Sequence, residues 1–185
     1  MNTDIKTLRQ YAKLRKLPSL IKLGTLSDEI NIGLLKLCES TEISNKRASD
    51  NRKGIYGVEH DHTTPLGKTY NQKHVDNFTF NIDCLNEFTN KTDWRFAELE
   101  PNGFIPMHLD DPSFYRFIAV IHGSHTVCCI TEKHNEVNMN VGDVYFINPA
   151  FKHSVTNNSK ENKRIALLGK IEINENNTRI LRTKT

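Results

Sequence analysis

The sequence predicts a mainly β protein with helices at its N-terminus, an α+β chain of the sandwich or small-barrel type. Three observations carry that expectation. From Thr92 onward, short runs rich in β-branched and aromatic residues recur at regular intervals, separated by turn signals such as EPNG, DDPS, HGSH, HNE, NVGD and NNSKEN. Before residue 50 the apolar residues instead recur at helical spacing. The composition, 185 residues with 37% hydrophobic and 25% charged, is that of one globular domain. A domain of this size buries roughly 70% of the surface its unfolded chain exposes.

The first run, LRQYAKLRKL (residues 8–17), alternates apolar and basic residues at helical spacing and stops at Pro18. The second, TLSDEINIGLLKLCES (25–40), has Ser27 as a cap, two acidic residues in its first turn and Gly33 as a blemish in its interior. Residues 1–50 are therefore expected to be helical and to pack on a sheet. Residues 45–75 are polar and punctuated by Gly54, Gly57, Pro65 and Gly67, so 51–91 reads as an irregular, substrate-side region. EHDH places His60 and His62 two apart, but nothing nearby completes a ligand set, and an exposed loop is the simpler reading.

The strands expected next are WRFAEL, FIPMHL, YRFIAVI, TVCCIT, DVYFIN, HSVTN and RIALLGKIEI, which make 92–175 the β core of a single domain spanning 1–185. HGSH is expected to be a hairpin turn carrying His122 and His125, and Trp94 to be a core residue.

Several functional classes recede on composition alone. No apolar run approaches the ~20 residues that span a bilayer. The start is basic throughout and lacks the apolar core of a secretory signal. Cys38, Cys84, Cys128 and Cys129 form no CxxC pair, and the adjacent two would face opposite sides of a strand, a pattern that suits free thiols in a reducing compartment. A cytoplasmic protein is expected. A formal charge of +3 is too small to point to nucleic acid.

The chemistry lies in PMHLDDPSFYRF (106–117). On a strand, residues i and i+2 share a face, so His108 and Asp110 point together while Leu109 points away. Asp111, before Pro112, suits a local turn bond. A third ligand is available from His153 in INPAFKHSVTN, with enough chain between for several strands to return it beside the first two in a jelly roll. Two histidines and one carboxylate form the facial triad of non-haem Fe(II) oxygenases, with positions left open opposite them. Arg164 or its neighbour Lys163 faces inward at the start of the last long strand. An inward arginine needs an anion, and a dicarboxylate co-substrate would supply one in bidentate fashion. Arg116, six residues after Asp110, is a candidate for a carboxylate of the substrate or for the near end of the co-substrate.

At these residues the sequence resembles the Fe(II)/2-oxoglutarate-dependent dioxygenases, more narrowly the aspartyl/asparaginyl β-hydroxylase and bacterial proline hydroxylase branch. HLD…RFIAVIHG…VGDVYFINPAFKHSVTNNS…R is similar to that group's H-x-D…R…G-D…H-x-x-x-N-x-S…R pattern over roughly residues 92–170. The resemblance implies a double-stranded β-helix, cupin-like in form. It implies Fe(II) bound by His108, Asp110 and His153, with 2-oxoglutarate held through its far carboxylate by Arg164 and O2 as the oxidant. It also implies hydroxylation of an unactivated C–H bond, because related halogenases lack the carboxylate ligand. The expected partner is a small-molecule or peptide substrate, with no membrane and no nucleic acid, and the oligomeric state stays open. Three rivals share the barrel. One is a cupin-type metal protein without 2-oxoglutarate dependence, whose first motif would need a further histidine and a glutamate. The others are a non-catalytic binding module and a nucleic-acid demethylase.

Overall fold

The computed structural model describes residues 5–42, 70–123, 125–130 and 134–185. His60 and His62 lie outside them. Two antiparallel sheets face each other in a double-stranded β-helix, the jelly-roll form expected. The larger sheet holds six strands: β1 (Leu20–Thr25), β8 (Asp143–Ile147), β5 (Phe114–His122), β10 (Arg164–Glu172), β3 (Lys91–Leu99) and β2 (Tyr70–His74), in that order. The smaller sheet holds β4 (Phe104–His108), β9 (Lys152–Thr156), β6 (His125–Ile130) and β7 (His134–Met139), also in order. Three α-helices, α1 (Ile5–Leu14), α2 (Asp28–Ser40) and α3 (Glu175–Thr183), accompany the sheets among the described residues.

Strand alternation divides the core in two. Ile118 and Val120 on β5, Tyr145 and Ile147 on β8, Ala166 on β10 and Val155 on β9 fill the space between the sheets. The intervening residues Phe117, Ala119, Phe146, Ile165 and Leu167 face outward and pack under α1, α2 and α3 through Tyr11, Leu14, Leu34 and Leu181. Period-two burial on both faces explains why these central strands read as continuous apolar runs. Trp94 is a packing residue, as expected, stacked on Phe78 with ring centroids 3.8 Å apart and set edge-on to Phe117.

Helix α2 begins as its sequence requires, with the Ser27 hydroxyl accepting from the Ile30 amide at 3.3 Å and Asp28 and Glu29 in the first turn. Gly33 is no blemish, because a Cβ there would stand 2.5 Å from the Phe80 ring, so its absence lets Phe80 pack against the helix.

The structure corrects several local expectations. The 1–50 stretch is not helical throughout. After Pro18 it supplies β1, whose Ile21 and Leu23 are buried and which pairs with β8. The irregular 51–91 stretch contains β2, whose polar residues pair with β3 at the sheet edge. HNE is not a turn but the start of β7. HGSH is not a hairpin, since β5 and β6 belong to different sheets and the chain crosses between them there. Gly123 in that corner has φ +79°, and a Cβ would lie 2.6 Å from the Lys163 carbonyl. Helix α3, absent from the sequence expectation, is capped by Asn174, which accepts from the Asn177 amide, and is seated by Ile180 and Leu181.

Candidate metal centre

β4 and β9 pair so that His108 stands directly opposite His153, with ring centroids 4.4 Å apart. The chain leaves β4 after His108. Leu109 turns into the outer core and Asp110 returns to the His108 side, as strand parity predicts. One donor atom from each of His108, Asp110 and His153 lies within 4.8 Å of the others, the one such group of three among the described residues. His153 Nε2 lies 3.6 Å from Asp110 Oδ2. A metal–ligand bond of about 2.0–2.2 Å brings donors from that separation onto one ion with small side-chain movement. The donor chemistry and spacing therefore fit a divalent cation. Asp111 stays apart, bonding the Ser113 amide in the turn.

Local contacts set the state of two of these candidate ligands, His153 and Asp110. His153 is buried, and its Nδ1 lies 3.1 Å from the Phe151 carbonyl. A carbonyl only accepts, so Nδ1 carries the proton and Nε2 keeps its lone pair for the cluster. Burial lowers the His153 pKa, the Asp110 carboxylate opposes that, and the net direction is down, toward the neutral ring a metal needs. Burial pushes the Asp110 carboxyl up. The positively charged groups around it, Arg116 first, outweigh it and bring the pKa down to about 2. Asp110 is thus an anion throughout the physiological range.

The structure brings Arg116 to this cluster. Its Nε lies 3.5 Å from Asp110 Oδ2, and it shares the inner face of β5 with Ile118 and Val120. Its buried Nε and Nη1 make no hydrogen bond, so they retain donor capacity for an anionic group. Arg164 is at another level. It opens β10 opposite Leu99, whereas Lys170, at the other end of the strand, pairs with Arg116. Arg164 is 1% exposed and shares the inner face with Ala166. Lys163 instead turns to Glu98 and Glu100, which settles which of the two faces inward.

Asn157, in the loop after β9, is 1% exposed and holds that loop in place. Its amide donates to the carbonyls of Leu99, Glu100 and Asn162, and its oxygen accepts from the Ser159 amide. It thereby ties the loop joining β9 to β10, and so His153 to Arg164, onto the end of β3. Asn148 does the same on the other side. Its amide donates to the carbonyls of Leu14, Leu17 and Pro18, fixing the turn before β9 to the end of α1. Asn148 stands before Pro149 at the end of a strand, and that was the only signal for it in the sequence. Asp143 of the Gly-Asp turn accepts from the Asn140 amide and the Tyr145 hydroxyl and pairs with Lys22, so its part is architectural.

Two solved structures share the fold over most of both chains. A 2OG-Fe(II) oxygenase-family oxidoreductase from Burkholderia pseudomallei is 12% identical over 93% of this chain and 92% of that one, with a TM-score of 0.57. The viral collagen prolyl hydroxylase of Paramecium Bursaria Chlorella virus-1, solved with 2OG, is 14% identical over 85% and 97%, with a TM-score of 0.54. A vicilin from Corylus avellana aligns at 20% identity with a TM-score of 0.45, and this chain spans only 30% of its length. No curated protein sequence matches the chain. No helix among the described residues is long and apolar enough to cross a membrane. The aspartyl/asparaginyl beta-hydroxylase family matches residues 67–173, more than half of the chain and all three clustered side chains, and the chain belongs to that family.

Proposed function

We propose that the protein is an Fe(II)- and 2-oxoglutarate-dependent oxygenase that hydroxylates an unactivated C–H bond of an amino acid, peptide or protein side chain. The observation that carries this reading is the His108–Asp110–His153 cluster at one end of the barrel, with a fully buried inward arginine further along the same interior. Fe(II) held by the three side chains would, with O2, supply the oxidising power for C–H hydroxylation, 2-oxoglutarate leaving as succinate and CO2.

The chain's own residues supply the rest. Asp110 brings an anionic oxygen and His153 a neutral nitrogen, each in the state its surroundings enforce. Arg164 takes the far carboxylate of 2-oxoglutarate. Its level is marked by Leu99, whose carbonyl accepts from Asn157, four residues along from His153. Four residues of strand span about 13 Å, a gap that an arginine and a five-carbon dicarboxylate laid end to end would bridge. The fork of Arg164 suits bidentate binding. Arg116 steadies the Asp110 carboxylate and offers its remaining donors to a carboxylate of the substrate or to the near end of the co-substrate. Ile105, Ile118, Val120, Val155 and Ala166 wall the interior with apolar surface that excludes water.

The test is succinate formation from 2-oxoglutarate in the presence of Fe(II) and O2, which many such enzymes would show slowly without substrate. Activity that requires Fe(II) and vanishes in Asp110→Ala supports the reading. Metal uptake with no consumption of 2-oxoglutarate, and no binding of it, would overturn it in favour of a cupin-type metal protein.

A further inference from the structure

We propose that Tyr11, on the N-terminal helix, is a positioning residue for the metal ligand Asp110, an inference that rests on the metal-site reading above. Asp110 lies beyond the last residue of β4, so the ladder to β9 that fixes His108 stops short of it. The Tyr11 hydroxyl donates to the Asp110 carbonyl at 2.9 Å across a separation of 99 residues. The Tyr11 ring is buried in the outer core, and Leu109, between the two ligands, packs against the same cluster. The His108–Asp110 segment is therefore held from outside the barrel by one apolar anchor in the outer core and one hydrogen bond from α1.

The same short stretch of chain also reaches the other ligand strand. The carbonyls of Leu14, Leu17 and Pro18 accept from Asn148, which opens the turn into β9 and His153. Residues 11–18 thus clamp the two segments that must converge on one ion. The family match begins at residue 67, so the residues of this clamp lie outside the matched segment. A ligand whose backbone is fixed before the metal arrives loses less freedom on binding, and the hydrogen bonds that orient ligating side chains commonly change metal affinity by tenfold or more.

Tyr11→Phe keeps the ring and removes only the hydroxyl. With the full-length protein and Co(II) as a visible-absorbing probe, we expect its dissociation constant to rise about tenfold. Asn31→Ala is the control. It removes one helix-to-sheet bond of the same kind, to the Ile121 carbonyl at the opposite end of β5 from Arg116, and should leave Co(II) affinity unchanged. A rise of threefold or more in Tyr11→Phe with an unmoved control supports the inference. A smaller rise overturns it, as does an equal rise in Asn31→Ala, which would mark general loosening. If the unmutated protein takes up no Co(II), the metal-site reading fails and this inference with it. If it takes up Co(II) and Tyr11→Phe does so equally well, only the inference fails.

Discussion

Asn157→Ala tests how the barrel holds its two ends of chemistry together. Asn157 is 1% exposed, and its side chain serves three carbonyls and one amide. Its two amide hydrogens are shared among the three carbonyls, so the side chain makes the equivalent of three hydrogen bonds. At about 1 kcal/mol each, their loss costs about 3 kcal/mol, and the stranded polar groups add to that unless water enters. For a chain of this length each kcal/mol lowers Tm by about 2–4 °C, so the variant should melt roughly 6–12 °C below the parent. Urea unfolding of the metal-free protein, followed by far-UV circular dichroism, reads the difference directly. Asn157→Asp sharpens the test, because it keeps the size and the accepted bond but turns a carboxylate toward three carbonyl oxygens, and it should be at least as damaging. A loss below about 1 kcal/mol in the alanine variant, or an aspartate variant as stable as the parent, would refute the reasoning.

Other expectations follow from single contacts. Gly169→Ala places a Cβ 2.1 Å from the Phe117 ring and should cost about 1–3 kcal/mol in the same assay. Phe117→Leu should recover part of that loss, and strict additivity would count against the contact. The metal-free protein should weaken in acid in two stages. His153 has a lowered folded pKa, so its contribution is present above the unfolded value near 6.5 and fades below it. Asp110, brought down to about 2, contributes roughly 2–3 kcal/mol above its unfolded value near 3.9, lost as pH falls toward 2. Urea midpoints in Asp110→Asn that still fall as steeply below pH 4 would contradict that assignment. Arg164→Met should weaken 2-oxoglutarate binding at least tenfold while Co(II) affinity holds within twofold, and equal loss of both would count against a dedicated anion anchor.

The inner strands were legible because both of their faces are buried, so they read as continuous apolar runs between turn signals, and the candidate ligands His108 and Asp110 were legible by strand parity: Leu109 faces the outer core while His108 and Asp110 face the site. His153 and Arg164 followed from the turn residues that precede their strands. The missed elements share a physical cause, since each lies at an edge or carries little apolar signal. β2 reads as YNQKH, and its Lys73 is buried because Glu98 pairs with it at 2.7 Å and the Cys38 carbonyl accepts from it at 2.8 Å. β7 is an edge strand of mixed polarity, and α3 presents little more than Ile180 and Leu181 to the core. β1 follows a helix so closely that its six residues merge with the helical pattern around them. The contacts of Tyr11 and Asn148 were beyond local reading, because their partners lie some hundred residues or more away. A sheet-crossing corner such as HGSH has the local chemistry of a hairpin, and only the strand pairing distinguishes the two.

The central claim is that His108, Asp110 and His153 hold one Fe(II) to which 2-oxoglutarate can chelate. Anaerobic titration of the protein with Fe(II) and 2-oxoglutarate tests it most directly. The account predicts a weak visible charge-transfer band that saturates at one iron per chain, is absent without 2-oxoglutarate and is abolished by Asp110→Ala. A protein that binds iron but yields no such band at saturating 2-oxoglutarate, or that keeps the band in Asp110→Ala, would contradict it.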